Sequence, residues 1–332
     1  MYYSIFSGSI PEFLEELSNT PPMLRLDNIG MHCSLEYTSF PSYTNLAPYS
    51  RRMHSIGTAR IVWHFTHDKA QAAAGLLHDI ASPVFAHVVD FLHGDHVRQE
   101  STEENTDRII EASAPIQKIL AAQGLTTAQV SDYHLYPVAD NPSPRLSADR
   151  LEYSFGNFYM VQERSLDELS SLYADIQLGN DETGTPELVF GHLEEAALFT
   201  HLALVNARWY VTDEDRFAMQ FLADLLHRAI ALEVLTKDDL YTTEPQVIKK
   251  LTSHPQTAVG WAAYCRMDTL EHHALRPQGR YAVNIPAKRR YIDPLVSTGR
   301  GVFRVSTLSS SVREAIQDFM LDDFDRWLCL PE

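Results

Sequence analysis

The chain has 332 residues, 45% of them hydrophobic, which is enough apolar material for a sizeable core. Its 27 Lys and Arg against 44 Asp and Glu give a formal charge of −17, so most of the surface repels polyanions, and a nucleic-acid partner is not expected. Cys33, Cys265 and Cys329 show no C-x-x-C spacing, which argues against a disulfide framework and points to a reducing, cytoplasmic setting; no secretory leader or bilayer-length apolar run is found, so membrane insertion is not expected.

In chain order, residues 9–20 follow Ser9 and Pro11 with Phe13, Leu14 and Leu17 set among acids, which predicts a short amphipathic helix. Residues 27–50 are rich in Ser, Tyr, Pro and Asn and read as loop able to wall a pocket. The apolar spacing then predicts helices over 53–65, 69–80, 84–92, 103–123, 148–163, 194–210, 213–235 and 245–251. The acidic, glycine-bearing stretch 179–186 (GNDETGTP) reads as a surface connection. Toward the C-terminus, 281–285, 290–296 and 302–305 alternate like short strands, separated by Pro286 and the Gly299-Arg300-Gly301 turn, and 310–330 reads as a closing helix. The expected fold is mainly α with a small C-terminal β element.

Two features carry chemistry. His54 lies in Arg51-Arg-Met-His-Ser-Ile-Gly, and the doublet His78-Asp79 ends the apolar run Ala72-Ala-Ala-Gly-Leu-Leu. A carboxylate at the end of a buried helix is costly to desolvate unless it is paired or metal-bound, and imidazole beside carboxylate suits a divalent cation. Adjacent helical residues point about 100° apart, so His78 and Asp79 cannot encircle an ion alone. His54 on the preceding helix and Asp149 in Ser147-Ala-Asp-Arg-Leu-Glu-Tyr are the best further donors.

The ordered set His54, His78-Asp79 and Asp149, with its flanking motifs, resembles the HD-domain metal-dependent phosphohydrolases, especially the deoxynucleoside-triphosphate triphosphohydrolase branch. The likeness runs from about residue 24 to 157, and more loosely through Leu235-Thr-Lys-Asp-Asp-Leu-Tyr. It implies an HD-type helical bundle filling 1–332 as one domain, with the motif core at about 24–160 and a helical and short-strand elaboration at about 190–332. It also implies one divalent ion (Mn, Fe, Ni, Zn or Mg) on His54, His78, Asp79 and Asp149. Arg51, Arg150 and Tyr153 match phosphate-facing positions and Asn157 a position near the sugar. The substrate implied is a nucleotide, first a deoxynucleoside triphosphate, with a monophosphatase, a pyrophosphohydrolase or a non-catalytic nucleotide-binding regulator as alternatives; members of the branch commonly assemble as homo-oligomers.

The branch usually reads His-Asp-x-Gly-His-Gly-Pro-Phe-Ser-His-x-x-Asp, where this chain reads His78-Asp-Ile-Ala-Ser-Pro-Val-Phe-Ala-His87-Val-Val-Asp90. His87 and Asp90, three apart, are expected to share a helix face, with the acid orienting a catalytic imidazole. Ser82 replaces one histidine of the pattern and reads as an N-cap ahead of Pro83; Glu103 stands near where another is expected, and Ser101 with Glu104 reads as a capping box. His93 and His96 are weighed as a second metal site and read as loop. Lys288-Arg289-Arg290, Arg300 and Arg304 form a basic cluster in an acidic chain, which reads as a solvated face, with attraction of phosphates or a subunit contact as the alternatives.

Overall fold

The computed structural model describes residues 2–6, 8–92 and 105–332. The helices that carry the motif start on side-chain caps. The Ser50 hydroxyl accepts from the Met53 amide to open helix Arg51–Thr66, and the Asp68 carboxylate accepts from the Ala70 and Gln71 amides to open Lys69–Leu77. Ser147 caps Ala148–Met160 and Thr212 caps Asp213–Ala231 in the same way. His67, at φ 49°, ends the first of these helices in the left-handed conformation and turns the chain back, so that the first two pack side by side. Small side chains permit that approach: a Cβ on Gly75 would lie 3.3 Å from Val62 Cγ2. Ala148–Met160 packs across Arg51–Thr66, which completes the scaffold of the motif.

Two apolar clusters form the interior. One gathers the motif helices with Phe155, Phe158, Phe190 and Phe199, whose rings meet at centroid distances of 5.3 to 6.1 Å. The other centres on Asp213–Ala231 and Pro255–Cys265, with Leu35, Phe40, Tyr43 and Val84 to Val89.

Six short strands accompany the helices among the described residues. β1 (Ile176–Asn180) and β2 (Pro186–Phe190) form an antiparallel hairpin. β3 (Glu271–His273) pairs antiparallel with β6 (Trp327–Cys329), while β4 (Leu295–Thr298) runs parallel to β2 and antiparallel to β5 (Gly301–Arg304). The fold is mainly α with a small, largely C-terminal β region.

Several local expectations are corrected. Residues 179–186 are the tip and flanks of the β1–β2 hairpin: Asp181 Oδ1 accepts from the Thr183 and Thr185 amides, which closes the turn. Of 281–285 only the bridge Val283 to Leu328 forms, and of 290–296 only the end belongs to β4. The final helix is Ser310–Leu321, after which the chain returns as β6. The expected helix over 84–92 is confined to Val88–Leu92, because Phe85 and Ala86 take φ of 60° and 47° and the Val84 amide donates to Leu240 O. Residues 106–123 break at Ser113 into Thr106–Ala112 and Ala114–Gln123, since Pro115 has no amide hydrogen to continue the ladder. Leu166–Ala174 and Pro255–Cys265 are helices not anticipated from the spacing. Among the described residues no helix is long and apolar enough to cross a membrane.

Candidate metal centre and its cavity

Three helices deliver the donors. His54 sits in the first turn of Arg51–Thr66, His78 ends Lys69–Leu77 with Asp79 next to it, and Asp149 sits in the first turn of Ala148–Met160. His54 Nε2 lies 3.2 Å from His78 Nε2, 2.9 Å from Asp149 Oδ1 and 3.9 Å from Asp79 Oδ2. His78 Nε2 lies 3.5 Å from Asp79 Oδ2 and 3.6 Å from Asp149 Oδ1. A cation with bonds of about 2.1 Å sets neighbouring donors roughly 3.0 Å apart and opposed donors roughly 4.2 Å apart. The observed separations fall in that span. His54, His78 and Asp79 form a buried group whose donor atoms lie within 4.8 Å of one another, able to hold one divalent cation; Asp149 faces both imidazoles.

The surrounding groups aim these donors. His78 Nδ1 is 2.8 Å from Gly75 O, so that nitrogen carries the proton and Nε2 keeps the lone pair. His54 Nδ1 is 2.5 Å from Glu152 Oε2, and Glu152, fully buried, also accepts from Tyr49 at 2.6 Å and Tyr2 at 2.8 Å. Two glycines make room for this hub: a Cβ on Gly57 would come within 2.3 Å of Glu152 Oε1, and one on Gly156 within 2.2 Å of the Tyr49 hydroxyl. Asp79 accepts from Arg51 Nη1 at 3.0 Å through both oxygens and from the Ser82 hydroxyl at 2.6 Å.

The electrostatics match a cation site. Burial alone would raise Asp79 and Asp149, but Arg51 and the imidazoles outweigh it at Asp79, and bonding to His54 holds Asp149 at about 2. Burial alone would lower His54, but Glu152 and Asp149 hold it up at about 10.

The donors open into a cavity of about 480 Å³ lined by both apolar clusters and by residues 286–292. His87, Arg51, Arg150, Tyr153 and Asn157 all line it. His87 directly precedes Val88–Leu92, and its Nδ1 lies 2.9 Å from the fully buried Asp90. Burial pushes the His87 ring below its ordinary range, against the pull of Asp90. Arg150 is held from the side: Nη1 donates to Asn141 Oδ1 at 2.8 Å, and Nη2 faces Asp140 Oδ1 at 3.2 Å. Among the described residues Arg51 Nε is buried without a partner. Burial pushes the Tyr153 hydroxyl up to about 12. The Asn157 amide donates to Tyr210 at 2.7 Å and accepts from His32 Nε2 at 3.2 Å.

Sequence reasoning missed Glu152, Tyr49, His32 and the positioning role of Ser82. Glu152 carried a signal: it lies one turn after Asp149 and is the second acid on that helix. Ser82 caps no helix, because the left-handed Phe85 and Ala86 postpone Val88–Leu92 and its hydroxyl is spent on Asp79. Glu103, His93, His96, Ser101 and Glu104 lie outside the described residues. Among the described residues one other donor group comes within 4.8 Å, Glu271, His273 and Cys329; there Arg280 already donates to Glu271 Oε2 at 2.7 Å.

With that geometry established, comparison with known proteins adds the following. No family model matches the chain. It is 24% identical over 308 residues to the uncharacterized protein YdhJ of Bacillus subtilis, covering 91% of this chain and 89% of that one. It is 24% identical over 217 residues to the metal-dependent phosphohydrolase cns2 of Cordyceps militaris, covering 65% of this chain and 59% of that protein. In three dimensions it matches a phosphohydrolase from Bacteroides thetaiotaomicron with TM-score 0.65 at 15% identity, over 98% of this chain and 97% of that one. A hypothetical protein from Aquifex aeolicus matches with TM-score 0.64 at 17% identity, over 97% and 92%. The fold is shared with a phosphohydrolase.

Proposed function

We propose that the chain is an HD-type metal-dependent phosphohydrolase, one domain over 1–332, acting on a nucleotide and first on a deoxynucleoside triphosphate. The observation that carries this reading is the convergence of His54, His78 and Asp79, whose donor atoms lie within 4.8 Å of one another, with Asp149 beside both imidazoles. The cavity of about 480 Å³ lies within the usual range for a small-molecule site. The cns2 relative, a metal-dependent phosphohydrolase, supports the same class.

The donor set would hold Mn, Fe, Ni, Zn or Mg, and the bound ion supplies charge that polarises a phosphoryl oxygen and acidifies water. The chain's own residues do the rest. With Nδ1 held by Asp90, His87 presents Nε2 for proton transfer as water adds across a P–O bond. Tyr153, protonated at neutral pH, donates to a phosphate oxygen; Arg51 Nε, buried and without a partner among the described residues, and Arg150 supply further donors, and Asn157 meets the sugar.

The test is a product assay with the purified protein and each metal in turn, against deoxynucleoside triphosphates, ribonucleoside triphosphates and monophosphates. Tripolyphosphate release, abolished by chelation and restored by metal, is the expected result. Pyrophosphate or orthophosphate would instead select the pyrophosphohydrolase or monophosphatase reading. One observation favours the non-catalytic alternative: Ser82, where the pattern has a histidine, is consumed by Asp79. Tight nucleotide binding without turnover under any metal would select that regulator.

A further inference from the structure

The cavity's cations are unequally available to a substrate. Arg51 Nη1 is set against Asp79, Arg150 is held by Asn141 and Asp140, and Arg216 is tied to Asp213 and to the Ile285 and Phe324 carbonyls. If a divalent ion sits on the donor group, Asp79 and Asp149 cancel its two charges. A phosphate chain bearing three or four negative charges would then need a further uncommitted cation.

Residues 286–292 supply one. This strap lines the cavity and is fastened at both ends: Arg216 donates to Ile285 O, the Asp293 amide donates to Pro144 O at 2.8 Å, and the Ser143 hydroxyl donates to Tyr291 O at 3.3 Å. Within it, Arg289 turns away to Met320 O at 2.5 Å and stacks on Phe324, while Lys288 and Arg290 line the cavity. The Arg290 side chain is exposed, and among the described residues no carboxylate or carbonyl accepts from it. It shares the lining of this one cavity with His87 and Tyr153.

We infer that Arg290, carried on the 286–292 strap, grips the part of a phosphate chain that does not sit on the metal donor group, and so selects substrates with more than one phosphate. This inference rests on the phosphohydrolase reading. The fastened backbone means that little main-chain order is lost when the guanidinium engages, and a guanidinium fits phosphate oxygens through paired donors. It also gives the basic cluster of an acidic chain a specific task, with the anion drawn to an uncommitted cation.

The test uses the full metal-loaded chain with Arg290→Gln, Arg290→Lys, and Arg300→Gln as a charge-matched control on the β4–β5 turn. Calorimetry with inorganic tripolyphosphate and steady-state kinetics on a triphosphate and its monophosphate are the readouts. Arg290→Gln is expected to weaken tripolyphosphate binding and raise KM for the triphosphate about 10- to 100-fold, with partial rescue by Arg290→Lys. The monophosphate KM, the bound metal and the melting temperature are expected to stay close to those of the parent, and Arg300→Gln to behave as the parent. Unchanged tripolyphosphate affinity in Arg290→Gln, or an equal loss on the monophosphate, would overturn the assignment. If no substrate is hydrolysed by the parent, the phosphohydrolase reading fails, and the calorimetry still decides whether Arg290 binds a phosphate chain.

Discussion

On the helical wall of the cavity the groups around the metal donors have internal counterparts: Asp79 with Arg51 and Ser82, His54 with Glu152, and Glu152 with Tyr2 and Tyr49. The facing strap has a fastened backbone but presents Arg290 to the open space without a counterpart among the described residues. The first wall is preorganised around a fixed charge and the second around an incoming one. In chemical terms, the helices suit a resident ion and the strap suits a ligand that arrives and leaves.

Changes on the helical wall should therefore act through the metal, and the largest effect is expected from Asp79→Ala. It removes a donor and leaves the buried Arg51 unpaired, which costs roughly 3–5 kcal/mol for a broken buried pair. Elemental analysis should show the bound metal lost, chemical unfolding a matching destabilisation, and turnover should fall by at least about 10³-fold; full retention of metal would remove the basis of the contrast between the walls.

Glu152→Gln is the next test. The amide keeps the shape but not the charge behind His54 Nδ1, so metal affinity should fall about 10- to 100-fold while the fold persists. A competition titration with a chromophoric chelator reads this directly, and an unchanged affinity would reduce the Glu152 hub to a packing role.

The smallest effect is expected at His32, in the cavity lining. Burial, with the charge of Arg51, outweighs the Asn157 bond and pushes His32 down to about 4. A histidine depressed in the folded state is protonated first in the unfolded chain, so its contribution is complete above about pH 6.5 and is lost as pH falls toward 4. By pH 5 the loss amounts to about 2 kcal/mol. Urea unfolding at pH 7 and pH 5 should show that slope in the parent and a flatter one in His32→Gln; parallel slopes would count against a neutral, buried His32.

The helical wall was largely legible because its instructions are local. The apolar spacing marks 53–65, 69–80 and 148–163 as helices, and the charged doublet His78-Asp79 closing an apolar run is visible without any fold. Glu152 was not recognised because its importance comes from Tyr2 and Tyr49, more than 100 residues away in the chain. The same limit applies to Arg150, whose capture by Asn141 depends on how 140–147 folds back, and to Arg290, which was visible as charge but not as part of the cavity. The β1–β2 hairpin was missed because polar turn residues occupy most of its tip, so the pairing is set by the partner strand and β4.

The cavity lies on the seam between the two apolar clusters, drawing Tyr133, Ala203 and Ile292 from one and Cys33, Tyr43 and Met219 from the other. A molecule lodged there fastens one half of the interior to the other. Its arrival should be legible as heat resistance: at a hundred times its dissociation constant, a ligand specific for the native state adds about 2.7 kcal/mol. A dye-based melting screen across phosphorylated metabolites would rank natural occupants before any turnover is detected.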